Sequence, residues 1–484
     1  MNSNKFILYF SNNVIKNSFW GVATNVIQNI CFSAFFIIVA RNYTSEDFGY
    51  YIISNTIYSL LLGFSTLGLG NWFIRELLNS TDRELLINKF FKIQIIIGVL
   101  FYFINIIISY SIYTNEMIRV LSIIIGINLI FDNIIYVVKS INIADLDQIK
   151  TYFLSTLEAV IKFLISLLIL LIPVKIELLV STLLIIRIII LFSFLRYGTK
   201  QKIELKKLLK IKTDFKEIKT IITSNWAFVI IASIAIINWR IGNIFISKYL
   251  TLKDVGYYEV SFKILSIAYI IPIVISTTLF PVIINAVKES KEKTVQIYKK
   301  IFTAYSIYGF FTFTFIYSFS DSLINILFGS KFILMSPYCK EMFLIMLFFP
   351  TVYLQANLIV AIKKEKIDML CNIISLLLNI LICFIGLHFY KSISVVNIAI
   401  ISSFVLFHII QDYVLIKEKI TNVTQVLYFY IITIVALISY ILISKSINPV
   451  IAFIMFWTIL FIYAIAILKK DRALLKLKSI NILC

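Results

Sequence analysis

The stretch Ala40-Arg-Asn-Tyr-Thr-Ser-Glu-Asp-Phe-Gly-Tyr-Tyr51 is a short polar break between two long apolar runs, and it occurs twice in the chain. The second copy is Ser247-Lys-Tyr-Leu-Thr-Leu-Lys-Asp-Val-Gly-Tyr-Tyr258, in which Lys248 takes the place of Arg41. The residues shared at one spacing are Thr44, Asp47, Gly49, Tyr50, Tyr51 and Ser54, with Thr251, Asp254, Gly256, Tyr257, Tyr258 and Ser261 as counterparts. One local design that recurs half a chain later predicts a protein built from two similar halves.

The composition is that of a membrane protein. Hydrophobic residues make up 60% of the chain and charged residues 14%, and the mean hydropathy is +0.96. A soluble domain needs far more charge to cover its surface. The sequence therefore predicts an all-α polytopic membrane protein with about fourteen transmembrane helices, each near the ~20 residues that cross a bilayer. The predicted spans are 18–39, 49–73, 90–113, 117–138, 151–172, 176–196, 221–243, 256–286, 299–320, 337–361, 367–389, 393–416, 426–444 and 449–468.

Lysine and arginine indicate how the chain is oriented. They gather in alternate loops and in both terminal segments, whereas the intervening loops carry few. The positive-inside rule then places both termini in the cytoplasm and both copies of the repeated stretch on the outer face. There, Asp47 and Asp254 are expected to cap helix starts, and the tyrosines to fit the aromatic belt.

The net charge of +20 follows from this topology and does not indicate nucleic-acid binding. An excess of basic residues on the cytoplasmic face suits an anionic inner leaflet. The lysine-rich segment between Arg196 and Thr220 is interpreted either as an amphipathic helix on that leaflet or as a solvated basic linker.

Signatures of enzymes, metals and cofactors are missing from the sequence. It has no phosphate-binding loop, no His-Glu-x-x-His and no Gly-x-Ser-x-Gly. The five cysteines are scattered, and no metal site or cofactor is predicted. Because the outer loops are short, they offer little scaffold for an active site. Transport is therefore favoured, and a membrane polymerase or glycosyltransferase is the alternative from another class.

Charged side chains inside the spans are the candidate functional residues, since charge at membrane depth usually faces a cavity or a partner. The basic ones are Lys162, Arg187, Arg240 and Lys263, and the acidic ones are Asp132, Glu158 and Glu259. An excess of cations suits a pathway for an anionic group, because arginine holds phosphate with two donors and lysine acts as a point charge.

The same charges have a structural interpretation. Glu158 and Lys162 lie four residues apart, as do Glu259 and Lys263, so each pair could simply neutralise itself along one helix face. Arg187 and Arg240 have no carboxylate within one turn, which makes them the preferred pathway residues, with the acids as candidates for ion coupling or pairing.

Helix breakers recur at corresponding places in the two halves. The second span contains Gly68 and Gly70, and the eighth contains Pro272 and Pro281. Interrupted helices in matching positions of two repeats indicate a transport pathway. Kinks are also common in membrane helices generally, so a structural role is equally open.

Four stretches resemble the bacterial polysaccharide flippases, the Wzx-type transporters of O-antigen and capsule repeat units. The first is the repeated stretch with Arg41, Asp47 and Gly49, and the second is Leu67-Gly-Leu-Gly70 with Arg75. The others are Asp254-x-Gly-Tyr-Tyr258 followed by Lys263, and Ile326-Leu-Phe-Gly-Ser-Lys-Phe332, which contains Gly329. These flippases belong to the MATE-like superfamily of multidrug, oligosaccharidyl-lipid and polysaccharide exporters.

The resemblance implies two related six-helix bundles around a central cavity, two extra C-terminal helices, and alternating access. On this plan the N-terminal bundle occupies 1–197, a basic cytoplasmic linker 198–220, and the C-terminal bundle 221–418. The two extra helices and a basic tail occupy 419–484.

The cargo implied by the resemblance is an undecaprenyl-diphosphate-linked oligosaccharide, moved from the inner to the outer leaflet of the bacterial plasma membrane. Polymerase and chain-length proteins of the same pathway are the implied partners. Members often carry an acidic residue near the position of Asn238-Trp239-Arg240, whereas this chain has none there. A lipid II exporter or a drug/cation antiporter of the same superfamily is the nearest alternative.

Overall fold

The computed structural model describes residues 3–66, 68–200, 223 and 226–462, and all regular structure in these ranges is helical. The helices of the first half are α1 (Ser3–Asn42), α2 (Ser45–Ser65), α3 (Gly70–Asn79), α4 (Arg83–Ile112), α5 (Glu116–Gly126), α6 (Asn128–Ala144), α7 (Ile149–Ile169) and α8 (Ile176–Tyr197). Those that follow are α9 (Trp226–Tyr249), α10 (Leu252–Glu289), α11 (Lys291–Phe328), α12 (Ser336–Met342), α13 (Phe349–Ala361), α14 (Glu365–Phe389), α15 (Ile393–Lys417), α16 (Val423–Ser446) and α17 (Pro449–Ile462). Short 3-10 segments, Ser330–Met335 and Phe343–Leu347, flank α12.

These helices confirm the predicted all-helical membrane protein. Within the described ranges, eleven helical segments are long and apolar enough to cross a membrane. The three remaining predicted spans fall on α2, α9 and the shorter apolar helix α17. Large apolar side chains such as Leu171 and Phe389 are exposed on the outside, as lipid-facing surfaces require.

The chain packs as two compact units. Unit 1 comprises Met1–Ile264 and Met369–Ser403, and unit 2 comprises Leu265–Asp368 and Phe404–Cys484. The division into bundles at 1–197 and 221–418 and a C-terminal pair at 419–484 stays a prediction. Most of the basic linker at 198–220, and the tail beyond residue 462, lie outside the described residues.

Each unit has its own apolar core. In unit 1, α1 packs along α7, α4 packs against α6, and α9 packs against α2. The stacked rings of Phe73 and Phe90, 4.1 Å apart, lie in the core beneath α3. In unit 2, the core joins α10, α11, α13 and α15 through side chains such as Ile283 and Leu358. Both cores consist of side chains from helices that the sequence predicted as spans. Packing in these cores positions the helices that carry the charged side chains.

Both copies of the repeated stretch form a helix cap in which threonine is the first acceptor; the predicted acceptance of a backbone N–H by the aspartate is seen for Asp254, from Thr251 at 3.0 Å, whereas Asp47 accepts from the Thr44 hydroxyl. The hydroxyl of Thr44 accepts from the backbone N–H of Asp47 at 3.0 Å and donates to its carboxylate at 2.7 Å. The hydroxyl of Thr251 makes the same two bonds with Asp254, at 3.3 and 2.7 Å. A threonine hydroxyl that accepts from the backbone of the first turn is an N-cap, so the sequence repeat encodes two helix starts.

The two helix starts touch each other through glycines. A Cβ atom added to Gly49 would lie 2.3 Å from the carbonyl oxygen of Leu252, and one added to Gly256 would lie 3.3 Å from that of Ser45. The first distance leaves no room for a side chain, and the second leaves a tight contact. The glycines therefore allow α2 and α10 to approach each other closely at their N-terminal ends.

The tyrosines of the second copy correct one expectation. Tyr257 and Tyr258 lie inside unit 1 rather than in a belt at the membrane surface, and Tyr258 is only 1% exposed. Its hydroxyl lies against α9, where a Cβ on Gly242 would be 2.9 Å away. Packing against α9 accounts for this burial better than contact with lipid headgroups.

The predicted breakers act differently in the two halves. Gly68 has a φ of +58°, which favours glycine, and it separates α2 from α3. In contrast, α10 runs without interruption through Pro272 and Pro281. Pro272 has no N–H for the carbonyl of Ala268, and the hydroxyl of Tyr308 donates to that carbonyl at 2.7 Å instead.

The remaining glycines of the motifs have local explanations. Gly70 begins α3 and donates its backbone N–H to the hydroxyl of Tyr136 at 2.6 Å. Gly329 ends α11 with a φ of +87°, a backbone conformation that residues other than glycine rarely adopt. Arg41 lies in the last turn of α1 and is exposed.

Candidate functional site

Five residues from four helices form a buried ion cluster in unit 1, called here the Arg187 cluster: Tyr58 (α2), Asp132 (α6), Glu158 and Lys162 (α7), and Arg187 (α8). The guanidinium of Arg187 is ion-paired with the carboxylates of both Asp132 and Glu158. Lys162 contacts the other oxygen of Glu158 at 2.6 Å, and the hydroxyl of Tyr58 donates to Asp132. Two cations thus face two carboxylates, so the cluster is neutral.

The Arg187 cluster is almost closed to solvent. The side chains of Arg187 and Asp132 are each 13% exposed, and that of Glu158 is less exposed still. Taking such charges out of water is costly, and only close pairing offsets the cost. The four helices are therefore tied together where the ions meet.

A second cluster, called here the Arg240 cluster, is formed by Thr56 (α2), Arg240 and Asn243 (α9), and Glu259 (α10). One Glu259 oxygen contacts Arg240 at 2.6 Å, and the other accepts from the amide of Asn243 at 2.8 Å. The same amide reaches the hydroxyl of Thr56 at 3.1 Å. The Arg240 guanidinium lies 5.1 Å from the ring centre of Phe262, and its side chain is 25% exposed. This arginine is thus paired with Glu259 and is partly exposed.

The structure thus gives both arginines the carboxylates that their own helices lack. Sequence spacing finds partners within one turn, whereas Asp132, Glu158 and Glu259 approach Arg187 and Arg240 from other helices. The pairing of Glu158 with Lys162 along α7 is observed. Lys263 is half-buried on α10, with its ammonium 5.6 Å from the ring centre of Phe36.

Buried amides bridge helices rather than line an open surface. The amide of Asn379 donates to the side-chain oxygen of Asn238 at 2.8 Å, which joins α14 to α9 within unit 1. The acid missing from the sequence around Asn238 is thus supplied nearby in space, since Glu259 reaches Arg240 from α10. Across the described ranges, no group of three or more His, Cys, Asp or Glu side chains is placed to hold a metal ion.

Solved transporters share this fold. A structure titled lipid II flippase MurJ in an inward closed conformation superposes with a TM-score of 0.68 at 15% identity, over 93% of this chain and 100% of that one. An inward-facing multidrug resistance MATE family transporter of the MOP superfamily gives a TM-score of 0.65 at 11% identity, over 81% and 94%. A MOP superfamily transporter from Pyrococcus furiosus gives 0.57 at 12%, over 84% and 95%. At these identities the likeness shows the fold alone.

The chain is therefore a multi-pass membrane protein with the fold of these transporters, as the resemblance implied. The sequence model of the family described as polysaccharide biosynthesis protein matches residues 38–337, which is more than half of the chain. The chain belongs to this polysaccharide biosynthesis protein family. No curated protein sequence matches it.

Proposed function

We propose that the chain is a flippase that moves an undecaprenyl-diphosphate-linked oligosaccharide from the inner to the outer leaflet of the bacterial plasma membrane. Three observations support the proposal: membership of a polysaccharide biosynthesis family, the fold of MATE-like transporters, and two buried arginine clusters. The product would serve O-antigen or another surface polysaccharide, and both termini would lie in the cytoplasm. Polymerase and chain-length proteins would act on the delivered units.

The observation that carries the proposal is the Arg240 cluster. Arg240 is paired with Glu259 and is 25% exposed, so a diphosphate could approach its exposed part and share the guanidinium donors with Glu259. Lys263, one turn beyond Glu259 on α10, would add positive charge. The charges of Arg187 and Lys162 are balanced by the carboxylates of Asp132 and Glu158. These two cations would attract the diphosphate only after one of the carboxylates is released or protonated.

Alternating access supplies the motion in this proposal. The close contact of α2 and α10 at Gly49 and Gly256 would mark the closed outer end, and its separation would open the site outward. The cargo headgroup would then exchange leaflets while the polyprenyl chain stays in lipid.

The test is a neutral double variant, Arg240→Gln with Glu259→Gln, in a strain that lacks the chromosomal copy. Removing both partners avoids leaving Glu259 buried without a cation, so the protein should accumulate normally. Surface polysaccharide is expected to fall to the level of the deletion strain, with single lipid-linked units accumulating on the inner leaflet. The control is Lys391→Gln, which removes a charge elsewhere in unit 1 and should leave transport unchanged.

Other results would contradict the proposal in distinct ways. Normal surface polysaccharide in the double variant would remove Arg240 and Glu259 from the pathway. Units accumulating unpolymerised on the outer leaflet of the deletion strain would indicate a polymerase. Loss of peptidoglycan synthesis or of drug resistance, with normal polysaccharide, would indicate a lipid II or drug exporter.

A further inference from the structure

Unit 2 contains a buried polar cluster that the proposed transport site does not use. His408 and Asp412 lie one turn apart on α15, with Nδ1 of the imidazole 2.8 Å from Oδ2 of the carboxylate. The hydroxyl of Tyr430 on α16 lies 2.7 Å from the same nitrogen and donates to the same oxygen at 3.1 Å. The other carboxylate oxygen accepts from Gln355 on α13 at 2.6 Å, and Gln355 also reaches the hydroxyl of Tyr298 on α11 at 3.1 Å.

The cluster is fully enclosed at membrane depth. His408 is 0% exposed and Asp412 is 3% exposed. The imidazole is stacked on the ring of Phe429 at 5.2 Å, and Phe302 and Phe348 cover its edges. A carboxylate in such surroundings is costly unless a positive charge faces it.

The groups around Asp412 leave its neutralisation to His408. From α16 the facing titratable group is Tyr430, from α11 it is Tyr298, and α13 contributes only the uncharged Gln355. Lys299 of α11 lines the same cavity as Asp412 but is exposed. Among the described residues, His408 is the basic group that forms an ion pair with this carboxylate.

The two ring nitrogens of His408 differ in their hydrogen bonding. The hydroxyl of Tyr430 gives its hydrogen to Asp412, so it can only accept from Nδ1, and Nδ1 therefore carries the hydrogen of the neutral ring. Nε2 is buried and has no hydrogen-bond partner among the residues that the structure describes. In the neutral ring Nε2 therefore holds a free lone pair, and a proton added there creates an imidazolium beside the carboxylate without breaking any existing bond.

One side of the cluster borders a cavity. Asp412 and Tyr298 form part of the wall of a cavity of about 1190 Å³ between α11, α16 and α17. Its wall is mostly aromatic and aliphatic, with a few polar groups such as Thr303 and Gln425. The carboxylate of Asp412 therefore lies beside a space in which these polar wall groups can hold water.

We propose that His408 and Asp412 form a proton-binding site in unit 2, in which Nε2 of His408 takes up the proton. One proton changes the cluster from a net charge of −1 to neutral, and α11, α13, α15 and α16 all hydrogen-bond to it. Loading therefore changes the stability of the contacts between these helices. The inference that this proton drives a transport cycle rests on the proposed flippase function, whereas proton binding itself does not.

The experiment uses the two histidines of the full-length chain, labelled with ¹⁵N and observed by NMR in nanodiscs with potassium buffers. His388 is exposed and serves as an internal control, and His388→Gln assigns the two sets of ring signals. Spectra are recorded from about pH 8 to about pH 5, the range in which histidine side chains change charge, and uptake of the proton should appear as a change of the His408 signals from the neutral ring to the imidazolium. At the pH where this signal is mostly imidazolium, Asp412→Asn should show the neutral ring while His388 is unchanged.

Two outcomes overturn the proton site. One is a His408 signal that stays neutral across the whole range in the unmodified chain, a measurement that needs no variant to fold. The other is a shift of that signal at constant pH when sodium replaces potassium. Such a shift would mean that the oxygen atoms of Asp412, Gln355 and the tyrosines bind a metal cation.

The link to transport is measured separately. His408→Gln should lower surface polysaccharide to the level of the deletion strain at a normal amount of folded protein, whereas His388→Gln should have no effect. Normal polysaccharide with His408→Gln overturns the coupling role. If the deletion strain itself has normal polysaccharide, the flippase function fails while the titration of His408 still tests the proton site.

Discussion

The two copies of the repeated stretch are alike at the helix start and differ one turn deeper in the membrane. Both begin with a threonine N-cap hydrogen-bonded to an aspartate three residues later, and both bring a glycine to the contact between α2 and α10. Where the second copy then carries Glu259 and Lys263, the first carries Ile52 and Thr56 at the same spacing. The repeat therefore specifies the same helix start in both halves, whereas only the second copy carries the charged residues Glu259 and Lys263 one turn later.

In the first half, the buried charged side chains lie on helices other than α2. Its ions lie on α6, α7 and α8, where Arg187 is held by two carboxylates at 13% exposure. Arg240 of the second half is paired with Glu259 and is 25% exposed. In the proposed transport, Arg187 would mainly hold helices together, whereas Arg240 would meet the anion. The changes below test this contrast and the contrast between the two copies, beginning with the largest expected effect on folding.

Arg187→Ala is expected to cause the largest loss of folded protein. It leaves the carboxylate of Asp132 buried with only the hydroxyl of Tyr58, and breaking a buried ion pair on one side costs about 3–5 kcal/mol. Size-exclusion chromatography of a fluorescent fusion measures the amount of folded protein. The matched rescue is Arg187→Ala with Asp132→Asn, which restores neutrality and should recover most of the protein. If the single variant folds as well as the unmodified chain, Arg187 does not hold these helices together.

Gly49→Ala and Gly256→Ala come next and separate the two copies. At Gly49 the added Cβ would lie 2.3 Å from the backbone oxygen of Leu252, so the helices must move apart, at a cost of about 1–3 kcal/mol. At Gly256 the nearest atoms are 3.3 Å away, and the higher helix propensity of alanine, about 1 kcal/mol, offsets the tight contact. Thermal unfolding in detergent should therefore show a clear loss for Gly49→Ala and almost none for Gly256→Ala. Equal losses would mean that the two glycines carry the contact equally.

The sequence predicts well what depends on local chemistry, and it misses what depends on distant contacts. The spans follow from apolar length, and the caps follow from threonine and aspartate at fixed spacing. The partners of Arg187 lie 29 and 55 residues away in the chain, so no local spacing reveals them. Likewise, Pro272 does not interrupt α10 because Tyr308 of another helix satisfies the carbonyl that proline leaves free. His408 and Asp412 are an exception, since a histidine and an acid four residues apart in an apolar span are visible in the sequence.

The smallest effects are expected at the caps, where the two copies differ by a single hydrogen bond. Removing the hydroxyl with Thr44→Val takes both bonds from the start of α2, and losing such a cap costs about 1 kcal/mol. In the second copy, the carboxylate of Asp254 also accepts from the backbone N–H of Thr251 at 3.0 Å, and that bond survives Thr251→Val. The second variant should therefore lose less stability in thermal unfolding than the first. Serine at either position keeps the hydroxyl and should unfold like the unmodified chain, and a larger loss at Thr251 than at Thr44 would show that this backbone bond does not support the cap.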